Sequence, residues 1–300
     1  MPISTCPCLD FHRPPRLPLQ LALKVRERCL IAAVILCASS IAATAHSDIL
    51  FGIQRGIHLV SIDTQTLTGQ IIGNTGATMI GGLAVNDVGR LYGLVTTNST
   101  LIRIDRSTGA GSLVGFTGRP TTTSAGLAFD ATSDVLYGTT TEGTGDFSDF
   151  LVTIDKSTAA TSSVGNMAAN AIVGMEFDSD GQLWGVEGGI GAEQLVRIDK
   201  LTGAITVVSP AGLASFPDIA GLTIGPSGTF WAVDAGNRLV SIDPATGTGS
   251  VLGTINGLGS DLITGLSAVV PEPSAMVLNT IALFAHLVFG RRRCAASTER

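Results

Sequence analysis

The chain has 300 residues, of which 45% are hydrophobic and only 14% charged, with 18 basic and 24 acidic side chains and a formal net charge of −6. Nine of the basic residues lie in the two ends, so positions 46–270 keep nine basic against twenty acidic residues, a net of −11. A surface of that sign repels phosphate, which needs a concentrated basic footprint, and nucleic acid is thereby excluded as a partner.

At the N-terminus, Arg26, Glu27 and Arg28 precede an apolar run from Cys29 to Ile41, and Ala43-Thr44-Ala45 supplies the small-x-small pattern that signal peptidase reads. Residues 1–45 are therefore expected to be an N-terminal extension plus signal peptide, cut after Ala45. The stretch before the apolar run is long for a leader, and a true start of synthesis near Val25 accounts for it. Leu36 before Cys37 is too bulky for a lipoprotein cleavage site. All five cysteines (Cys6, Cys8, Cys29, Cys37 and Cys294) lie in the end segments. The stretch 46–270 must then fold in an oxidising compartment without disulfides or thiolate metal sites.

That stretch repeats. Leu-apolar-x-Ile-Asp occurs at Leu59–Asp63, Leu101–Asp105, Leu151–Asp155, Leu195–Asp199 and Leu239–Asp243, with starts 42, 50, 44 and 44 residues apart. Each later copy follows a Gly-apolar segment (Gly82-Leu83, Gly126-Leu127, Gly174-Met175, Gly221-Leu222) and an aromatic one (Tyr92, Tyr137, Trp184, Trp231). After each Asp a turn leads into a short fourth segment. Asp105, Asp199 and Asp243 are placed to accept amides two residues on, and Gly109, Gly203 and Gly247 to supply positive φ. Leu67 and Ala159 stand where that glycine belongs in the first and third copies, so those turns must differ or accept strain. A period of 40–50 residues with four short strands predicts propeller blades.

The first copy lacks its Gly-apolar strand, whereas Gly265–Val269 is such a strand without a following partner. Pairing it with Leu50-Phe51-Gly52 closes a ring of five blades and removes the open sheet edges. The pattern over residues 48–270 resembles bacterial propellers of the broad YVTN, NHL and quinoprotein-like kind. No tryptophan follows Gly109, Gly203 or Gly247 as it does in quinoprotein repeats, so no quinone is implied. A β-helix or an open β-sandwich is the competing architecture, and neither explains the split first repeat.

The search for chemistry between the two ends finds little. Only His46 and His58 are available, without a nucleophile elbow or zinc-ligand spacing. Asp178-Ser179-Asp180-Gly181 begins like a calcium loop but lacks its distal ligands, and reads as turn acids. The longest inter-strand loop is expected at Thr139–Phe150, with Asp146 and Asp149 in it. Tyr92, Tyr137, Trp184 and Trp231 read as packing between blades rather than as sugar platforms. Glu176 is the singular residue, because its repeat position holds Ala84, Ala128, Thr223 and Ser267 elsewhere. A carboxylate there must face the channel, find a donor, or take up a proton, which makes it the channel-site candidate for a cation or a sugar hydroxyl.

Pro271, Glu272, Pro273 and Ser274 are followed by a sixteen-residue, largely apolar stretch, Ala275–Gly290, interrupted by Asn279 and His286, and then by Arg291, Arg292 and Arg293. As a helix this stretch is about 24 Å long, short against the roughly 30 Å hydrocarbon core, and the arginines hold its end on the cytoplasmic side. The two prolines keep the preceding segment extended and open to processing. In that order the elements resemble the PEP-CTERM sorting signal of exported Gram-negative proteins, over residues 271–300.

The resemblance implies cleavage by an exosortase-type enzyme, transient residence in the inner membrane, and delivery to the cell surface or extracellular matrix, with extracellular polysaccharide as a partner. The expected protein is an all-β five-bladed propeller between a signal helix and a transmembrane helix, exported and acting as a non-catalytic binding or scaffold module. It is expected to have no cofactor and no catalytic or metal residues, calcium being the one ion to test. The competing readings are a propeller enzyme of calcium-dependent lactonase or glycosidase type, and a periplasmic propeller that stays anchored.

Overall fold

A computed structural model describes residues 47–268 except 122–124, 142–148, 169–170, 189–192, 209, 211 and 217. The expected signal peptide, its cut at Ala45, the Pro271-Glu272-Pro273 motif, the apolar helix and Arg291–Arg293 lie outside the described residues. Regular structure within them is entirely β, and no described helix is long and apolar enough to cross a membrane.

Blade 1 contains β1 (Ile49–Gln54), β2 (His58–Asp63) and β3 (Thr68–Asn74). Blade 2 contains β4 (Ile80–Val85), β5 (Leu91–Val95), β6 (Thr100–Ile104) and β7 (Gly111–Phe116). Blade 3 contains β8 (Leu127–Asp130), β9 (Val135–Thr141), β10 (Asp149–Ile154) and β11 (Thr161–Asn166). Blade 4 contains β12 (Ile172–Phe177), β13 (Leu183–Glu187), β14 (Gln194–Ile198) and β15 (Ile205–Val207). Blade 5 contains β16 (Leu222–Ile224), β17 (Phe230–Val233), β18 (Arg238–Ile242) and β19 (Gly249–Thr254). Finally β20 (Ile263–Ala268) returns to blade 1, whose strand order is β20-β1-β2-β3, with Leu50 opposite Ala268 and Phe51 opposite Ser267. The five innermost strands touch in cyclic order, β4 to β8 to β12 to β16 to β20 and back to β4, which closes a five-bladed propeller.

Each blade is covered on both faces, and this explains the repeated motif. Leu101 packs toward blade 3 while Ile102 and Ile104 pack toward blade 1, leaving Arg103 outside. One aromatic from the second strand of a blade enters the next core each time. Phe51 sits with Leu83 and Leu91, Tyr92 with Leu127 and Leu136, Tyr137 with Ile172 and Leu183, Trp184 with Leu222 and Phe230, and Trp231 with Leu50 and Leu266. The aromatics are packing residues.

The inner glycines answer to crowding at the axis. A Cβ on Gly174 would lie 2.2 Å from Leu222 N, and one on Gly221 would lie 2.8 Å from Leu266 N, both backbone atoms that cannot swing away. Turn chemistry also follows the sequence. Ser107 N, Leu201 N and Ala245 N donate to Asp105, Asp199 and Asp243 at 2.8–2.9 Å, and Gly109, Gly203 and Gly247 have φ of 77°, 77° and 68°. Leu67 and Ala159 adopt φ of 54° and 64°, the same left-handed region, so these turns accept strain rather than change. Ala159 N still reaches Asp155 O at 2.8 Å.

Two expected boundaries move. β20 begins at Ile263 instead of Gly265, with Val269 outside the described residues. The long loop is shorter than Thr139–Phe150, because Thr140 pairs with Phe150 and Thr141 with Asp149, so the β-branched threonines carry the hairpin outward. Asp149 is thus a strand residue and fully buried.

Closure has a second tie. In blade 4, Asp178 Oδ2 accepts Trp184 Nε1 at 2.7 Å, but blade 5 has Gly225 at that turn position. Asp48, just before β1, reaches across and accepts Trp231 Nε1 at 2.9 Å and Ser227 Oγ at 2.5 Å. A Cβ on Gly225 would stand 2.1 Å from Asp48 Oδ2, so the glycine makes room for the borrowed carboxylate.

Gly174→Ala is expected to destabilise the fold by about 1–3 kcal/mol through overpacking. Gly76→Ala, whose Cβ meets open space and whose φ is 73°, should cost only the backbone strain, about 1 kcal/mol. Urea denaturation of both variants checks the ranking, and a smaller loss for Gly174→Ala contradicts axial crowding.

Candidate functional site at the channel mouth

The ends of the five inner strands surround a cavity of about 360 Å³ at one mouth of the channel, with walls that include Val85, Phe129, Glu176, Phe177, Ile224 and Ser267. Glu176 lies opposite Trp184 in the β12–β13 pairing. Ala84, Ala128, Thr223 and Ser267 lie opposite Tyr92, Tyr137, Trp231 and Phe51. The ring position read from the repeat is therefore real, and Glu176 is its one carboxylate.

A relay of hydrogen bonds holds that carboxylate. Ala268 N donates to Thr223 Oγ1 at 2.8 Å, Thr223 Oγ1 donates to Glu176 Oε2 at 3.0 Å, and Phe177 N donates to Glu176 Oε1 at 3.2 Å. Glu176 is half-buried and crowded by the inner strands. Desolvation outweighs its two donors and pushes the carboxyl up to about 8, so the group is neutral near pH 7.

Asp130 and Asp178, two other acids at the mouth, are engaged in structure. Asp130 accepts Lys200 Nζ at 2.6 Å, Ser133 Oγ at 2.8 Å and Thr132 N at 2.9 Å. Burial raises its pKa, and the opposing hydrogen bonds and the Lys200 charge together leave it below the usual carboxylate range. Because Lys200 belongs to blade 4 and Asp130 to blade 3, this pair also ties neighbouring blades. Asp178 accepts Asp180 N at 3.0 Å and Gln182 N at 2.9 Å besides Trp184, so the Asp178–Gly181 segment is a hairpin turn. Asn86 Oδ1 accepts Arg90 N at 2.7 Å, and Asp87 is exposed at the rim. Ser267 differs from all of these, being 1% exposed with an Oγ that has no hydrogen-bond partner among the described residues.

Sequence reasoning missed two further buried acids. Asp149 Oδ2 accepts Ile172 N at 2.6 Å, and desolvation, reinforced by the nearby Glu187 charge, pushes its carboxyl up to about 7. Glu193 is raised to about 7 by burial and then by Asp218, against a backbone hydrogen bond from Ile219. Both stand two residues before the leucine of the repeated motif, Leu151 and Leu195, where the other copies have Ile57, Ser99 and Asn237, and that shared place was the available signal. His58 Nδ1 has no partner among the described residues. No three His, Cys, Asp or Glu side chains among the described residues are grouped to hold a metal.

Comparison with known proteins adds fold but no activity. Residues 120–261 match the family described as "Repeat of unknown function (DUF6923)". No curated protein matches the chain. A chain in the structure titled "Crystal structure of Nidogen/Laminin Complex" is similar at 12% identity, covering 74% of this chain and 98% of that one with a TM-score of 0.54. A PQQ-bound aldose sugar dehydrogenase from Streptomyces coelicolor is similar at 19% identity over 57% of this chain and 61% of that one, with a TM-score of 0.41. At such identities the likeness concerns the fold alone.

Glu176, Asp149 and Glu193 all have folded-state values above their ordinary 4.5, 3.8 and 4.5. Their contribution to stability is complete below about pH 4 and is lost as pH rises through about 7–8. Thermal denaturation at about pH 5 and about pH 8.5 should therefore give the higher midpoint at the acid value. Glu176→Gln and Asp149→Asn should each shrink the difference. A midpoint that rises toward pH 8.5 contradicts the assignment.

Proposed function

We propose that this chain is an exported, exosortase-sorted surface or matrix module whose propeller binds or scaffolds rather than catalyses, with the channel mouth as its binding site. The observation that carries the non-catalytic reading is the commitment of the acids around the mouth. Asp130 and Asp178 are held by Lys200, Trp184 and backbone amides, so the carboxylate left beside Glu176 is Asp87, which lies exposed in the turn beyond β4 and outside the ring of inner-strand positions that would share acid–base work. A glycosidase of the usual kind needs two such groups flanking the bond. The nidogen/laminin likeness is compatible with a binding role but concerns only the fold.

Export rests on the sequence: the leader ending at Ala45, the cysteine-free stretch 46–270, and the order Pro271-Glu272-Pro273, apolar stretch, Arg291–Arg293. Signal peptidase and an exosortase-type enzyme are the processing partners in this reading, the inner membrane is a transient stop, and extracellular polysaccharide is the candidate surface partner. No cofactor is assigned. Calcium is the ion to test.

Intact-mass measurement of the protein made in a Gram-negative host that carries an exosortase tests the assignment. A mature chain starting at His46 and ending between Pro271 and Pro273 is the expected result. Retention of Arg291–Arg293 replaces it with a permanently anchored periplasmic propeller.

A further inference from the structure

The five equivalent positions around the channel are unevenly polar. Glu176, Thr223 and Ser267 come from consecutive blades 4, 5 and 1, whereas blades 2 and 3 contribute Ala84 and Ala128. One position further along, every blade gives the cavity an apolar residue, Val85, Phe129, Phe177, Ile224 and Ala268, so blades 2 and 3 present apolar side chains at both positions. Along the polar arc the bonding is directional. Thr223 Oγ1 accepts from Ala268 N and donates to Glu176 Oε2, so its one proton is committed and the carboxyl is oriented. Ser267 is a cavity-lining residue whose buried Oγ has no partner among the described residues, and so has a donor and an acceptor to spend.

We infer that Glu176 and Ser267 form the polar edge of a subsite for a small uncharged molecule carrying two neighbouring hydroxyls, whose apolar side lies against Val85 and Phe129. The inference rests on reading the channel mouth as the binding site. A hydroxyl both donates and accepts, and so matches a neutral carboxyl and a free serine hydroxyl at once. An anion meets the acidic side chains of Asp178 and the rim Asp87, while Lys200 is taken by Asp130. A divalent cation prefers several oxygen ligands including carboxylates, and the described residues offer no group of three. The cavity volume suits a single small ring. Burial that keeps Glu176 protonated near neutral pH supports the uncharged ligand.

The probes are cis-1,2-cyclohexanediol, D-glucose and myo-inositol, set against calcium chloride and methylammonium chloride, with the full chain at about pH 6.5, where Glu176 holds its proton. Saturation-transfer NMR and calorimetry report binding. At least one diol is expected to bind, shifting the amide resonances of Glu176, Phe177 and Ser267 in the unsubstituted protein. Ser267→Ala should weaken that binding about tenfold, the worth of one hydrogen bond, without lowering the thermal midpoint, because the lost hydroxyl leaves no partner behind. Glu176→Gln keeps a donor and an acceptor and should retain most of the binding, whereas Glu176→Leu should abolish it.

Three results overturn the inference: no diol bound up to about 100 mM, beyond which affinity carries no specificity; diol binding unchanged in Ser267→Ala; or preference for either cation. A cation preference leaves the binding-module reading standing, because only the ligand class is then wrong. Silence from every probe, with all five amide-bearing inner strands unshifted, removes the channel mouth as a site for either class.

Discussion

The structure depends on one contact repeated five times, the aromatic side chain of a blade's second strand buried in the core of the next blade. A four-stranded sheet has two faces and no means of hiding both alone. Because each core is shared, no blade has a private interior, and the cores do not form a chain with two ends but a circle. The last of them, around Trp231, Leu50 and Leu266, exists only if the ring is shut. Closure is therefore a condition for burying the first and last blades and not a decoration on a finished fold.

Closing five blades brings the innermost strands very near each other, and the site inherits its properties from that. Glycine at positions 174 and 221 is what the backbone spacing leaves room for. Ala84, Ala128, Thr223 and Ser267 line the same layer because small side chains fit there. Glu176 is larger and ionisable, so the crowding that stabilises the ring also strips water from its carboxyl, and the proton it retains is the electrostatic consequence. The Thr223 relay gives it an orientation without giving it a counter-charge. The ring position is thus polar across blades 4, 5 and 1 and alanine in blades 2 and 3, with one carboxyl among the five.

The same economy of parts appears at the seam. Blade 5 lacks the turn aspartate that holds Trp184 in blade 4, and Asp48 supplies it from the other end of the ring. Asp48 and Gly225 only make sense together, since a side chain at 225 would occupy the carboxylate's place. With the β1–β20 pairing this makes a double fastening, one through backbone hydrogen bonds and one through a buried side chain. Asp130 and Lys200 repeat the device between blades 3 and 4.

What the sequence determined by itself was everything carried by short-range periodicity. The Leu-apolar-x-Ile-Asp strands and the Asp-x-x-x-Gly turns are each written within about fifty residues, their recurrence along the chain carries the blade count and the split first blade, and the unlike residue at a repeated position marked Glu176. Local pattern also hinted that Leu67 and Ala159 were strained, because the turn's hydrogen bonds demand one backbone conformation whatever the side chain. Tertiary structure alone decided the distances between residues far apart in the chain. It set Thr223 against Glu176, left Ser267 buried without a partner, sent Asp48 across 183 positions to Trp231, and buried Asp149 where a loop was expected. Desolvation and hydrogen bonding act through space over a few ångströms, and a linear pattern fixes such proximity only after the ring has closed.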